Sequence, residues 1–390
     1  MAAEEPAAVR TAVVVVHGMG ETRPMETFDG FVRTALHPHD GQWDYHPRPA
    51  EITDTYEARR YTAPQSEFIE YHWPFLMTAD KYAGVAPTAL RLFLRRPSNV
   101  SDALLGVWRL VWTVILGVLL VIPILFVSGY ALNSDVPAWI IGLTISAVVL
   151  IFWFGLYRIL ARALVNKKTA PLVDSVRYLD PSPPSYAARR AIRAGLVDLL
   201  DDLHGGEYTR IVVAAHGVGA YIAYDALMVF WAQTHRTQGK SWCITDFVTI
   251  GTPLALADLV LTRPSLSSGF KKSDAALRRE LFDGLMRRGV LVECPANSPS
   301  ADDDALDVES PFTVTNWTNV WFPVTRGDRR GDWFGGELAK LFGAGIRDIA
   351  VTGNEPERLM PGSAHTEYFS HPDKDEEGDI AWHLRRILAL

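Results

Sequence analysis

Apolar residues follow two distinct rhythms along this chain. Short runs rich in β-branched residues, TAVVVV at Thr11–Val16 and ITDFVTI at Ile244–Ile250, read as strands covered on both faces. Other stretches carry helical spacing: Met25, Phe28, Val32 and Leu36, then residues 187–203, and a closing segment at 380–390. Further strands are expected at 53–61, 67–73, 208–215, 317–322 and 348–352, with a helix running from a glycine turn near 217 to about Trp231. Strands alternating with helices predict an α/β fold, a mostly parallel sheet with helices on both faces. No repeat of solenoid or propeller period is visible.

A third pattern interrupts the alternation. From Val107 to Leu132 the chain is almost wholly apolar, and a second apolar stretch runs from Trp139 to Leu160. Each spans roughly 20 residues or more, enough to cross about 30 Å of hydrocarbon as a helix, so a two-helix transmembrane hairpin is expected. Pro123 is compatible with that reading, because neighbouring helices can satisfy the carbonyl it frees. Arg91, Arg95, Arg96 and Arg109 precede or open the first span, Arg158, Arg162, Lys167 and Lys168 close the second, and the connecting loop carries only Asp135. The positive-inside rule then places both ends, and the domain they belong to, on the cytoplasmic side.

The expected organisation is a single domain split by its anchor. Residues 1–100 form its first part, 101–168 the hairpin, and 169–390 the remainder. Within the last part, 262–311 holds a charged helical stretch and the acidic ADDDALDVES. It reads as a cap over the strand ends or as a solvated excursion, and its charge favours the second. The hairpin offers a surface for oligomerisation; with no inward charge or broken-helix pair it does not read as a channel or transporter.

Composition narrows the function classes. In 390 residues, 48% hydrophobic content with 12 Trp excludes a disordered chain, and a net charge of -7 spread over interspersed charges leaves no basic stripe for nucleic acid. Cys243 and Cys294 are the two cysteines, and no pair has metal-ligand spacing, so neither a disulfide framework nor a metal site is expected, and no cofactor. The N-terminal MAAEEPAAVR lacks the basic and apolar regions of a secretory signal, which favours a cytoplasmic start.

The chemistry concentrates at IVVAAHGVGAYIAYDAL, residues 211–227. A β-branched run feeds a tight glycine turn that opens into a helix, the layout of a nucleophile elbow, GxSxG. Here it reads Ala215, His216, Gly217, Val218, Gly219: the small flanking residues are kept and the serine is absent. Four other segments accompany it: HGMGE at 17–21, TIGTPLALADL at 249–259, DWFGG at 332–336 and HTEYF at 365–369.

Taken together these motifs resemble the α/β-hydrolase superfamily, in particular its lipase- and esterase-like members with an HGxGE turn near the N-terminus. The resemblance implies an α/β-hydrolase fold interrupted by the hairpin, and it assigns roles. Gly217 stands at the serine position, Asp332 is the acid with Asp328 as its competitor, and His365 is the general base. The order 217, 332, 365 is the superfamily's nucleophile, acid, histidine. Backbone N–H groups of Val218 and Met19 would form the oxyanion hole, with His17, Gly18, His216 and Gly219 supporting the two turns.

The implied activity is hydrolysis of a carboxylic ester or lipid at a membrane. Without a serine hydroxyl the covalent route is closed, and loss of the nucleophile from such a triad costs about 10⁶ in kcat. Glycine at 217 leaves two readings: a hydrolase silenced by substitution, or a natural membrane-bound scaffold or ligand sensor built on the same frame.

Overall fold

The computed structural model describes residues 10–18, 25–36, 44–77, 174–179, 182–236, 242–261, 274–296, 310–324, 330–351, 364–370 and 376–389, with isolated helical positions between 105 and 147. Eight strands form one sheet: β1 (Thr11–Val16), β2 (His46–Ile52), β3 (Glu57–Thr62), β4 (Ser66–His72), β5 (Arg210–His216), β6 (Ile244–Ile250), β7 (Asn316–Trp321) and β8 (Arg347–Ala350). Their order is β2-β3-β4-β1-β5-β6-β7-β8. From β4 to β8 every neighbouring pair is parallel, and β2 and β3 add an antiparallel margin. The expected mostly parallel α/β architecture is therefore present.

The strands alternate between two cores. Ala12, Val14 and Val16 of β1 join Ile211, Val213 and Ala215 of β5 beneath Leu196, Leu199 and Leu200 of α2 (Pro183–His204) and Ala223 and Leu227 of α3 (Gly219–Arg236). Val13 and Val15, with Val212 and Ala214, face the other way. There they meet Phe28, Phe31 and Val32 of α1 (Glu26–Ala35) and Leu384 and Leu388 of the C-terminal helix at Ile380–Leu388. Side chains alternate faces along a strand, so a run of four valines supplies both layers. Each fully buried valine contributes about 1.5–3 kcal/mol.

One expected strand is corrected. Residues 53–61 do not form a continuous strand; the pairing falls in β2 and β3, separated by a turn in which Thr53 Oγ1 accepts from the backbone N–H of Thr55 and Tyr56. The sequence HPRPAEI conceals β2 because Pro47 and Pro49 argue against a strand. Its place at the sheet margin, with solvent along most of its length, explains why two prolines are tolerated there.

Most of the two apolar spans lies outside the described residues. Among the described residues no helix is long and apolar enough to cross a membrane. Leu105, just before the first span, and Trp108, at its start, are helical, and both pack on a cluster containing Leu256, Trp333 and Phe334. In the 262–311 segment the described helix α5 (Asp274–Arg287) follows α4 (Ala257–Leu261). It buries Phe282 edge-on against Phe342 of α6 (Ala339–Phe342). The C-terminal helix at Ile380–Leu388 is α7.

Candidate active site

β5 ends at His216, and the chain turns through Gly217 at φ 56° before α3 begins at Gly219. That left-handed conformation costs other residues about 1–2 kcal/mol. The turn is pinned by the Gly217 N–H donating to Ile250 O at 3.2 Å, so β6 holds it from the side. Gly219 lies where α3 crosses the end of β1; a β-carbon there would stand 2.1 Å from Val16 O. Gly18 approaches from β1, its α-carbon 3.7 Å from a β-carbon placed on Gly217.

Asp332 arrives from the loop after β7. It is wholly buried, and its own N–H donates to Phe322 O at 3.0 Å. Oδ1 accepts from the Phe334 N–H at 2.9 Å, while Oδ2 accepts from the Tyr368 hydroxyl at 2.9 Å and lies 3.0 Å from His365 Nδ1. Burial alone would push this carboxyl up. The His365 ring and the hydrogen bonds from His365, Phe334 and Tyr368 outweigh it and hold Asp332 below the ordinary carboxylate value.

His365 sits in a short 3-10 turn at Ala364–Thr366, after β8. Its Nδ1–H donates to Asp332, which leaves the Nε2 lone pair directed at the elbow: a β-carbon at position 217 would stand 3.4 Å from Nε2. Phe334 meets the ring edge-on at 5.8 Å between centroids. His216 stacks on its other side at 5.1 Å and donates from Nε2 to His365 O at 3.2 Å. Burial, with the His365 ring adding to it, pushes the His216 pKa down to about 3, so this second imidazole is neutral.

The fold thus brings Gly217, Asp332 and His365 together at the carboxyl ends of parallel strands, where open α/β sheets bind ligands. His216, Gly18 and Gly219 lie around them. Val218 is buried at the entry to α3 with its carbonyl accepting from Tyr221 N at 2.9 Å. Met19 and the competing acid Asp328 lie outside the described residues. Arranged this way, His365 can accept a proton from a group at 217 and Asp332 can stabilise the imidazolium that results.

Two contributors escape sequence reasoning. Tyr368 gives Asp332 its third hydrogen bond, and Gly251, at φ 52°, leaves the space in which the acid and Tyr368 meet. A β-carbon on Gly251 would stand 2.4 Å from the Tyr368 ring and 2.8 Å from Asp332 Oδ2. Both fall inside the segments TIGTP and HTEYF. The signal for Tyr368 is its position one helical turn beyond the histidine.

His17 leads into the turn at Gly18 and also has polar neighbours beyond it. It is fully buried beside Glu70 and His72 of β4, with one nitrogen or carboxylate oxygen from each of the three within 4.8 Å of the others. Burial drives the His17 pKa down to about 4. Among the described residues this is the one group with the composition and spacing of a metal-ligand set.

No family model, curated protein or solved structure matches this chain, so its function rests on the geometry of the site.

Proposed function

We propose that this chain has the acid–base machinery of an α/β-hydrolase-type serine hydrolase for carboxylic esters, lipid esters included, with glycine in the nucleophile's place. The observation that carries the reading is His365, held through Nδ1 by buried Asp332 while Nε2 faces position 217. With a serine there, Oγ would attack the ester carbonyl as Nε2 takes its proton. The Val218 and Met19 N–H groups would receive the oxyanion, and the protonated His365 would return its proton to the departing alcohol. Water activated by His365 would then release the acid.

As the chain stands, no oxygen is available for that first step. It binds an ester or acyl ligand without turning it over, which is the ligand-sensor form of the same proposal.

Membrane anchorage by residues 101–168, with both termini cytoplasmic, is part of the proposal. It is supported by the two apolar spans and their cationic flanks. Support for an apolar substrate comes from Leu105 and Trp108, which pack on the apolar cluster that holds Trp333 and Phe334, the last in contact with His365. The foot of such a hairpin would then adjoin the site.

The test is Gly217→Ser, assayed with short p-nitrophenyl esters and a fluorophosphonate probe. Turnover and labelling that both vanish on His365→Ala are expected. A folded Gly217→Ser chain with neither turnover nor labelling overturns the hydrolytic reading.

A further inference from the structure

The buried trio of His17, Glu70 and His72 is not needed for the triad chemistry. Parallel pairing of β1 with β4 places Val15 opposite Glu70, so His17 and His72, each two residues further along the chain, come to the same end of the sheet. His17 and Glu70 have no side-chain exposure, and His17 Nε2 lies 3.7 Å from Glu70 Oε1. His17 Nε2, Glu70 Oε1 and His72 Nδ1 are all shielded from solvent.

Proton bookkeeping makes this arrangement informative. His17 Nδ1 lies 2.7 Å from Gly18 O, and a carbonyl only accepts, so Nδ1 carries the hydrogen. In the neutral ring Nε2 then presents a lone pair toward the Glu70 carboxylate. Glu70's other oxygen, Oε2, accepts from Arg59 Nη1 at 3.1 Å, which fixes the carboxylate with Oε1 toward the histidines. His17 Nε2 and Glu70 Oε1 thus converge with an atom of His72 in a dry interior, all within 4.8 Å of one another, the spacing of donors around a single cation. A backbone carbonyl holding one imidazole nitrogen while the other points inward is the outer-shell pattern of histidines that ligate metals.

We propose that His17, Glu70 and His72 bind one divalent transition-metal ion of the zinc class. Two neutral imidazoles and one carboxylate suit Zn²⁺ and its Co²⁺ surrogate far better than Ca²⁺ or Mg²⁺, which take oxygen ligands. Three ligands, two on β4 and one just past the end of β1, leave a further coordination position to water or to another side chain.

Placement gives the ion a structural task. His17 leads directly into Gly18, which faces the elbow, and the His17 carbonyl accepts from Trp73 Nε1 at 3.1 Å. A metal joining His17 to β4 would therefore clasp the turn that borders position 217. The site stands independently of the hydrolytic proposal, since it uses none of Gly217, Asp332 or His365.

The experiment uses the full chain in detergent micelles, freed of any affinity tag and stripped with chelator. Titration with Co²⁺ is followed by visible d–d absorption, then by displacement with Zn²⁺. One Co²⁺ per chain is expected, bleached by Zn²⁺, with a rise in Tm on Zn²⁺ addition. His72→Ala, on the less buried ligand, and Glu70→Gln should each weaken binding by at least the roughly 10–100-fold that loss of an outer-shell partner costs. Circular dichroism verifies that both variants remain folded. Absence of saturable binding in the wild type, or binding that persists unchanged in both variants, overturns the proposal.

Discussion

His365 Nδ1 lies 3.0 Å from Asp332 Oδ2, and the opposite nitrogen of the same ring faces a residue with no side chain. Catalytic potential and conformational strain therefore meet at position 217. Serine there must adopt φ near 56°, a cost of about 1–2 kcal/mol, while its β-carbon fits at ordinary contact distance from the ring. Gly217→Ser is expected to lower stability by about that amount in urea unfolding while gaining esterase turnover. In that background Asp332→Asn should reduce kcat by about 10⁴, because the amide no longer holds the correct imidazole tautomer. Equal kcat with Asp or Asn at 332 would show that the carboxylate does not orient the base.

Two helical glycines should respond to alanine with opposite signs. In α2, a β-carbon on Gly195 would stand 2.4 Å from Thr55 O and 2.7 Å from the Tyr71 hydroxyl, one of them rigid backbone. Overpacking of that kind costs about 1–3 kcal/mol, more than the roughly 1 kcal/mol alanine gains in a helix. In α5, a β-carbon on Gly284 meets only the guanidinium ends of Arg288 at 3.4 Å and Arg287 at 3.9 Å, which can swing away. Gly195→Ala is expected to lower the urea midpoint and Gly284→Ala to raise it by about 0.5–1 kcal/mol equivalent. A stabilising Gly195→Ala would mean that the β2–β3 turn and α2 pack less closely than the Thr55 contact indicates.

What the sequence revealed depended on how local the determining physics is. β1 and β6 carry their own apolar rhythm, and their bounds match residue for residue. β2 was hidden because its prolines are acceptable only at a sheet margin, a property of neighbours and not of the segment. Gly217, Asp332 and His365 could be named because an elbow and two loop motifs mark them. Tyr368 and Gly251 could not, since their contribution is a shared space around Asp332 Oδ2 that exists only after β6 and the His365 turn are packed. The absence of close metal-ligand spacing likewise led to no metal being expected. His17, Glu70 and His72 converge only through the β1–β4 register.

Tyr368 links the acid to the sheet. Its hydroxyl donates to Asp332 Oδ2 at 2.9 Å and accepts from the Phe322 N–H at 3.1 Å, both buried. Tyr368→Phe removes one donor from the carboxylate and one acceptor from the backbone, and a buried group left unsatisfied costs about 1–3 kcal/mol. The loss should have a pH signature. A depressed carboxyl pKa contributes stability above the unfolded value of 3.8 that is lost as pH falls through the folded value. The gap between wild type and Tyr368→Phe should therefore narrow in acid, leaving the part due to Phe322. Urea midpoints at neutral and acidic pH test this, and a gap that widens in acid contradicts it.

His216 supplies the clearest pH dependence near the site. Its ring stacks on that of His365 at 5.1 Å, with Nε2–H donating to His365 O. Burial and the neighbouring imidazole lower its pKa from 6.5 to about 3. The unfolded chain therefore takes up a proton below about pH 6.5 that the folded chain refuses until about pH 3. The contribution is fully present above 6.5 and falls through that window, with a limiting slope of about 1.4 kcal/mol per pH unit from this one group. His216→Asn keeps a short side-chain N–H donor and removes the titration. Urea unfolding across pH 7 to 4 should show a steeper loss for the wild type than for His216→Asn, the two curves converging toward the acid end. Parallel curves would mean that His216 is protonated as readily in the folded chain as in the unfolded one, and that its stack on His365 is open to water.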